Sequence, residues 1–175
     1  MIDHFRMFAR YNRWANERLY AAAATLTEAE FNESRGAFFG SLCATLNHLV
    51  VADGIWMKRF TGEGEAANQL AAILYTELAA LTAAREALDA RLIGWLDGLD
   101  DAALCRPVTY SAITNPAPVT HALAPGLSHM FNHQTHHRGQ CHATLTALGK
   151  ESLALDLIYF LRAEGKEWLA AGEPA

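Results

Sequence analysis

The segment His129 to Gln140, HMFNHQTHHRGQ, places His129, His133 and His137 four residues apart within a run of good helix formers. An α-helix turns about 100° per residue, so a step of four moves ~40° around the axis and ~6 Å along it, and the three rings form one stripe. Side chains on successive turns lean the same way, which lets imidazole nitrogens at i and i+4 reach one metal ion. Eight histidines in 175 residues give about a third of one such pair by chance (8 × 7/175), and here two overlap. The same spacing also suits a polar, solvent-facing stripe. A third ligand from elsewhere in the chain decides between the two.

His48 is the candidate for that third ligand, because it is the one histidine of an apolar helix expected from about Ser41 to Phe60. Ser41, Ala44, Ala52 and Ile55 lie within ~40° of it on the helical wheel and leave room around the ring. A lone histidine among apolar residues is more often a satisfied core residue than a ligand. It gains weight because bundles build their sites from side chains on facing helices. Asp53 points some 140° away from His48, toward Leu42, Leu46 and Phe60. A carboxylate there needs a partner, with Arg138 or Arg13 as the candidates, and reads as structural rather than catalytic. His142 falls near 180° from His133, and His136, ~60° off the stripe, belongs at the rim.

The elements that must position these residues follow from periodicity. Residues 2 to about 24 read as a first helix with Phe5, Phe8, Ala15, Leu19 and Ala22 on its core face. Asn12 falls inside that stripe, where it either bonds to a neighbouring helix or lines a polar pocket. Thr27 to Glu30 is a capping box for a short turn near Phe31, and Gly36 and Gly40 then break the chain. A third long helix, Ala71 to Leu99, follows from the ladder Leu70, Leu74, Leu78, Leu81, Leu88, Leu92, Leu96; its other face is Glu, Arg and Asp, and it reads as core without chemistry, with Trp95 as packing. From Asp100 to His121 the pattern stops in a long, Pro-containing crossover whose Thr109-Tyr110 and Val119-Thr120 pairs suggest a short hairpin over one mouth of the bundle. The fourth helix runs from Ala122–Gly126 to Leu148, with Gly149 as its stop. A last helix, about Leu153 to Ala170, carries an apolar face around Tyr159 and Trp168 that closes the core or meets a partner subunit.

Composition supports the same architecture. A 51% apolar fraction with five Pro residues favours an all-α antiparallel four-helix bundle, with a long crossover between its third and fourth helices and an additional C-terminal helix. At 175 residues the chain suits a single domain, 1–175, that can bury a core without disulfides or a structural ion. A net charge of −5 with no basic run excludes the electrostatic footprint of a nucleic-acid binder. Cys43, Cys105 and Cys141, odd in number and without CxxC spacing, exclude a disulfide framework and a cysteine zinc site. Neither a signal peptide nor an 18-residue apolar run is evident, so a soluble cytoplasmic protein is expected, with no membrane partner.

Together, LNHLVVADGIWMKRF, HMFNHQTHHRGQ with its Gly-terminated helix, and DLIYFLR resemble the DinB/YfiT-like family over essentially the whole chain. The resemblance implies a four-helix bundle holding a divalent metal through one histidine of the second helix and an HxxxH pair of a later one, here His48, His133 and His137. It gives His129 no firm role. Some members are S-transferases or isomerases that use bacillithiol or mycothiol, while others are described only as damage-inducible proteins or metal-dependent hydrolases. A homodimer is expected on the same ground.

Three neutral imidazoles leave the ion's charge uncompensated and at least one coordination position open, as in catalytic sites; Zn²⁺ or Ni²⁺ suits them. Two function classes follow. One is a metal-dependent transferase or isomerase acting with a low-molecular-weight thiol on a small electrophile. The other is a non-catalytic metal-binding stress protein or a hydrolase. A general base discriminates them; His129, His136 and Asn12 are the candidates to orient substrate.

Overall fold

Side-chain caps begin two of the helices in the computed structural model, which describes residues 1–169. The element order is α1 (Ile2–Ala23), α2 (Glu28–Asn32), α3 (Leu42–Thr61), α4 (Leu78–Asp97), β1 (Pro107–Ala112), β2 (Asn115–Ala122), α5 (Leu123–Ala147) and α6 (Leu157–Ala163). Thr27 and Glu30 form the expected capping box at the start of α2. Ser41 Oγ accepts from the Ala44 amide to begin α3, and Gly62, at φ 76°, ends it in the left-handed conformation that favours glycine. The protein is mostly helical, with one small two-stranded sheet.

The four long helices pack in a ring in which α1 touches α4 and α5, and α3 touches the same two. Contacts across α1/α4 run in opposite directions, Arg10 to Asp97 and Asn16 to Asp89. So do those across α3/α5, where His48 meets His133 and Trp56 meets His129. Along α1/α5 and α3/α4 the numbers rise together: Phe5 with Phe131 and Asn12 with Arg138, then Asp53 with Arg85 and Phe60 with Trp95. The antiparallel order expected from the sequence therefore describes only two of the four neighbouring pairs. The reason is residues 62–77, which cross back along α3 so that α4 starts at the same end as α3.

That crossover replaces the first two turns of the helix expected from Ala71. Asn47, fully buried on α3, accepts from the Leu74 and Tyr75 amides and donates to the Tyr75 carbonyl, holding this backbone against α3. Leu70 and Leu74, expected in the core ladder, are 38% and 48% exposed. Tertiary hydrogen bonds here override helix propensity.

Two apolar clusters fill the ring. One gathers Phe5, Trp56, Phe60, Leu96, Leu127 and Phe131; the other gathers Leu19, Leu42, Leu46, Leu81, Cys141 and Leu145. Between them lies a buried polar layer with at least one side chain from each long helix. Arg85 bonds to Asp53 at 2.8 Å and to Asp89, Gln134 donates to Asp53, and Asn12 and Asn16 donate to Asp89. Arg138 donates to Asn12 at 2.8 Å. Asp53 is thus paired by Arg85 and Gln134, not by Arg138 or Arg13. The face of α4 expected to carry exposed charges turns two of them, Arg85 and Asp89, inward. Two carboxylates and two guanidiniums leave the layer neutral, which is what permits its burial.

The suspected hairpin exists: β1 and β2 pair antiparallel, Val108 against His121 and Tyr110 against Val119, over the ends of α3 and α5. Those two helices approach closely at Gly126, where a Cβ would lie 2.8 Å from the Phe60 ring. Of the last expected helix, only Leu157–Ala163 is α-helical, followed by a 3₁₀ turn at Lys166–Trp168. Its final residue, Ala170, lies outside the described residues. Phe160 closes a third cluster on Tyr11 and Trp14, and Trp168 packs beside it, while Tyr159 is 46% exposed. The three cysteines are free. Among the described residues no helix is long and apolar enough to cross a membrane.

Candidate metal centre

His48 on α3 faces His133 and His137 on α5, and one ring nitrogen from each lies within 4.8 Å of the others. Among the described residues this is the one group of three or more His, Cys, Asp or Glu ligand atoms brought so close. The helical period explains it, since His133 and His137 are successive turns of one stripe and His48 sits where α3 crosses that stripe. His48 and His137 are buried, and His133 is partly exposed.

Two of the rings are oriented by fixed oxygens. The Leu70 carbonyl lies 2.8 Å from His48 Nδ1 and can only accept, so Nδ1 carries the proton and Nε2 keeps its lone pair. Gln140 Oε1 lies 2.8 Å from His137 Nδ1 and accepts in the same way, while its amide nitrogen reaches His136 Nε2 at 3.3 Å. This outer-shell arrangement, an oxygen on the far nitrogen of a ligating imidazole, is the usual companion of metal-binding histidines. Phe39, from the loop before α3, stacks on His48 with centroids 3.9 Å apart and covers that side of the cluster.

The electrostatics favour uncharged rings. Burial pushes the His48, His133 and His137 pKa values down; for His133, with the like charges of His137 and His48 added, it falls to about 3. Two nitrogens on one tetrahedral zinc at ~2.05 Å stand ~3.3 Å apart, and His48 Nε2 and His133 Nε2 are 3.1 Å apart. The donor set, the fixed tautomers of His48 and His137 and the His48–His133 separation fit a divalent ion, with all three ligand nitrogens within 4.8 Å of one another.

A family model described as the DinB family matches residues 1–170. The chain belongs to the DinB family. It is 27% identical to Protein DinB of Bacillus subtilis (strain 168) over 172 residues, covering 92% of this chain and 95% of that protein. A DinB-like protein from Bacillus cereus ATCC 10987 has the same fold, with a TM-score of 0.62 at 16% identity, over 80% of this chain and 89% of that one.

In this DinB-family chain the cluster opens into a cavity of about 560 Å³ between α3, α5 and the hairpin tip. His129 lines it beside Trp56, one turn from His133, with ring centroids 5.7 Å apart. Burial, Arg59 and His121 lower its pKa in that order. The other two candidates for orienting substrate lie elsewhere. His136 is exposed at the rim and touches Gln140, and Asn12 is committed to Asp89 and Arg138 in the polar layer, the neighbouring-helix alternative of the sequence reading. His142 is bonded to Ser152 and the Leu153 amide, away from the cluster. A larger cavity of about 710 Å³, between α1 and α4, includes no histidine.

Sequence reasoning missed Leu70, Gln140, Phe39 and Arg59. Gln140 carried a signal, being three residues after His137 on the same face. The Leu70 carbonyl is a backbone atom, and Phe39 sits in an aperiodic loop, so neither left one.

Proposed function

We propose that this protein is a four-helix-bundle metalloenzyme, a transferase or isomerase in which His48, His133 and His137 hold a divalent ion and a low-molecular-weight thiol is activated toward a small electrophile. The observation that carries this reading is the convergence of three imidazoles, of which His48 and His133 line an open cavity. Zinc or nickel bound there would supply Lewis acidity, lowering the pKa of a thiol brought to it.

The chain's own residues account for the remaining requirements. No cysteine lines the cavity, so the nucleophilic sulfur must arrive with a co-substrate. His129, kept neutral at pH 7 by its lowered pKa, is placed to receive the thiol proton. The sulfur then forms its bond to the electrophilic carbon, and the leaving group departs with its electron pair. Trp56 and Tyr110 supply apolar wall, and Phe39 shields His48 from water. Among the described residues the lining contains no Asp or Glu, which argues against a hydrolase using a carboxylate general base.

The test is adduct formation between a thiol such as N-acetylcysteine and monochlorobimane, with metal-loaded protein, metal-free protein and His133→Ala. Acceleration confined to the loaded wild-type protein is expected. Stoichiometric metal without acceleration across a panel of small thiols would leave the non-catalytic metal-binding stress protein as the better reading. We also propose a cytoplasmic homodimer, on the family resemblance and the exposed Ile158 and Tyr159 of α6; light scattering should give about twice the 19.2 kDa chain mass.

A further inference from the structure

The cavity above the histidines departs in charge from the rest of the molecule. The chain carries a net −5, yet among the described residues the cavity lining holds the cation Arg59 and no acidic side chain. A divalent ion on the cluster would add to that positive character.

Arg59 is the fixed charge of this wall. Its guanidinium carbon stands 4.1 Å from the Tyr110 ring centroid and 4.7 Å from that of Trp56, so the plane is held by cation–π contacts to the hairpin and to its own helix. Its one hydrogen bond among the described residues is from Nη2 to the Ser111 carbonyl, a long 3.4 Å. A guanidinium has five N–H donors in a planar fork, so most of this fork has no protein acceptor. Other arginines here are engaged differently: Arg85 in two buried ion pairs, Arg10 with Asp97, and Arg6 with Asp3 and three carbonyls. Arg59 combines a held position, a free fork, a cavity location and no carboxylate partner among the described residues.

We propose that Arg59 is a specificity-determining residue, and that the small molecule entering this cavity carries an anionic group, a carboxylate in the first instance, which the Arg59 fork binds while the molecule's sulfur reaches the histidine cluster. This rests on the metal-and-thiol reading of the site. Planar, bidentate pairing with a carboxylate is what an arginine fork offers and a lysine does not. The aromatic faces on which it lies keep the fork oriented and partly dry, which strengthens the pairing.

The experiment uses full-length protein loaded with Co²⁺, titrated with 6-mercaptohexanoate and with the neutral 6-mercaptohexanol, and read by the thiolate-to-cobalt charge-transfer absorption. About tenfold tighter binding of the carboxylate thiol is expected for the wild-type protein, the scale of one charge-assisted hydrogen-bond pair. In Arg59→Gln the two thiols should bind alike, with cobalt stoichiometry and mercaptohexanol affinity unchanged. Arg59→Lys should keep part of the preference, which separates loss of the charge from loss of packing. Equal affinities in the wild-type protein, or a preference that survives Arg59→Gln and so arises at the ion, would overturn the inference and leave the metal reading standing. Failure to bind cobalt, or no charge-transfer band with either thiol, would overturn both.

Discussion

Two rings of the cluster, His48 and His137, are prepared for metal by something other than the three-histidine spacing. Gln140 fixes the tautomer of His137 through a 2.8 Å contact, so Gln140→Ala should weaken metal affinity about 10- to 100-fold without abolishing folding. Competition titration with a chelator measures this; an unchanged affinity would remove Gln140 from the site. Burial has a second consequence, visible in metal-free protein. A histidine whose folded pKa lies below the unfolded ~6.5 takes up its proton more readily when unfolded, so stability is unaffected above that pH and declines as pH falls beneath it. For His133 the decline continues to about pH 3. The melting temperature of metal-free protein should therefore drop between pH 7 and pH 5, and drop less in His133→Gln. Parallel curves would show that the ring is not desolvated as described. The same depression lowers proton competition for the ion, so acid release of metal should fall well below the ~6.5 at which a free imidazole titrates.

Among the elements, the crossover 62–77 links fold and site most directly, since its Leu70 carbonyl orients His48 while Asn47 holds the neighbouring backbone. Asn47→Ala leaves the Leu74 and Tyr75 amides without their acceptor, at a cost of roughly 1–3 kcal/mol each where they stay dry. It should also weaken metal binding, although Asn47 is no ligand. Thermal melts and metal titration of the variant check both; loss of stability with metal affinity intact would separate the crossover from the site. This element was also the least legible in the sequence. Residues 71–77 read as helix because Leu70, Leu74 and Leu78 keep helical spacing, and only the tertiary acceptor on Asn47 makes the extended path better. The α3 and α5 stripes were legible because period alone aligns His133 with His137 and leaves small residues around His48. Arg85 and Asp89 misread for the converse reason: an i, i+4 ion pair on a Leu-rich helix looks like a solvated face until Asn12, Asn16 and Asp53 of other helices converge on it.

At the scale of the whole molecule, a neutral polar layer divides an otherwise apolar interior, and the candidate centre lies beside it, with His133 adjacent to Gln134 and His137 adjacent to Arg138. Arg85→Met would leave Asp53 and Asp89 buried without their shared cation, a change on the order of 3–5 kcal/mol. In a chain of this length that lowers the melting temperature by roughly 10 °C. A shift of less than 2 °C would mean that the layer is solvated. The two apolar clusters, by contrast, are complete without any ion, so chelation at pH 7 should lower thermal stability while leaving helix content by circular dichroism unchanged. The most direct test of the central claim is elemental analysis of purified protein after reconstitution with a divalent ion, for the wild-type chain, His133→Ala and His142→Ala. One ion per chain is expected in the wild-type protein and in His142→Ala, and far less than one in His133→Ala. Retention of wild-type stoichiometry by His133→Ala, or no bound ion in the wild-type chain, would contradict it.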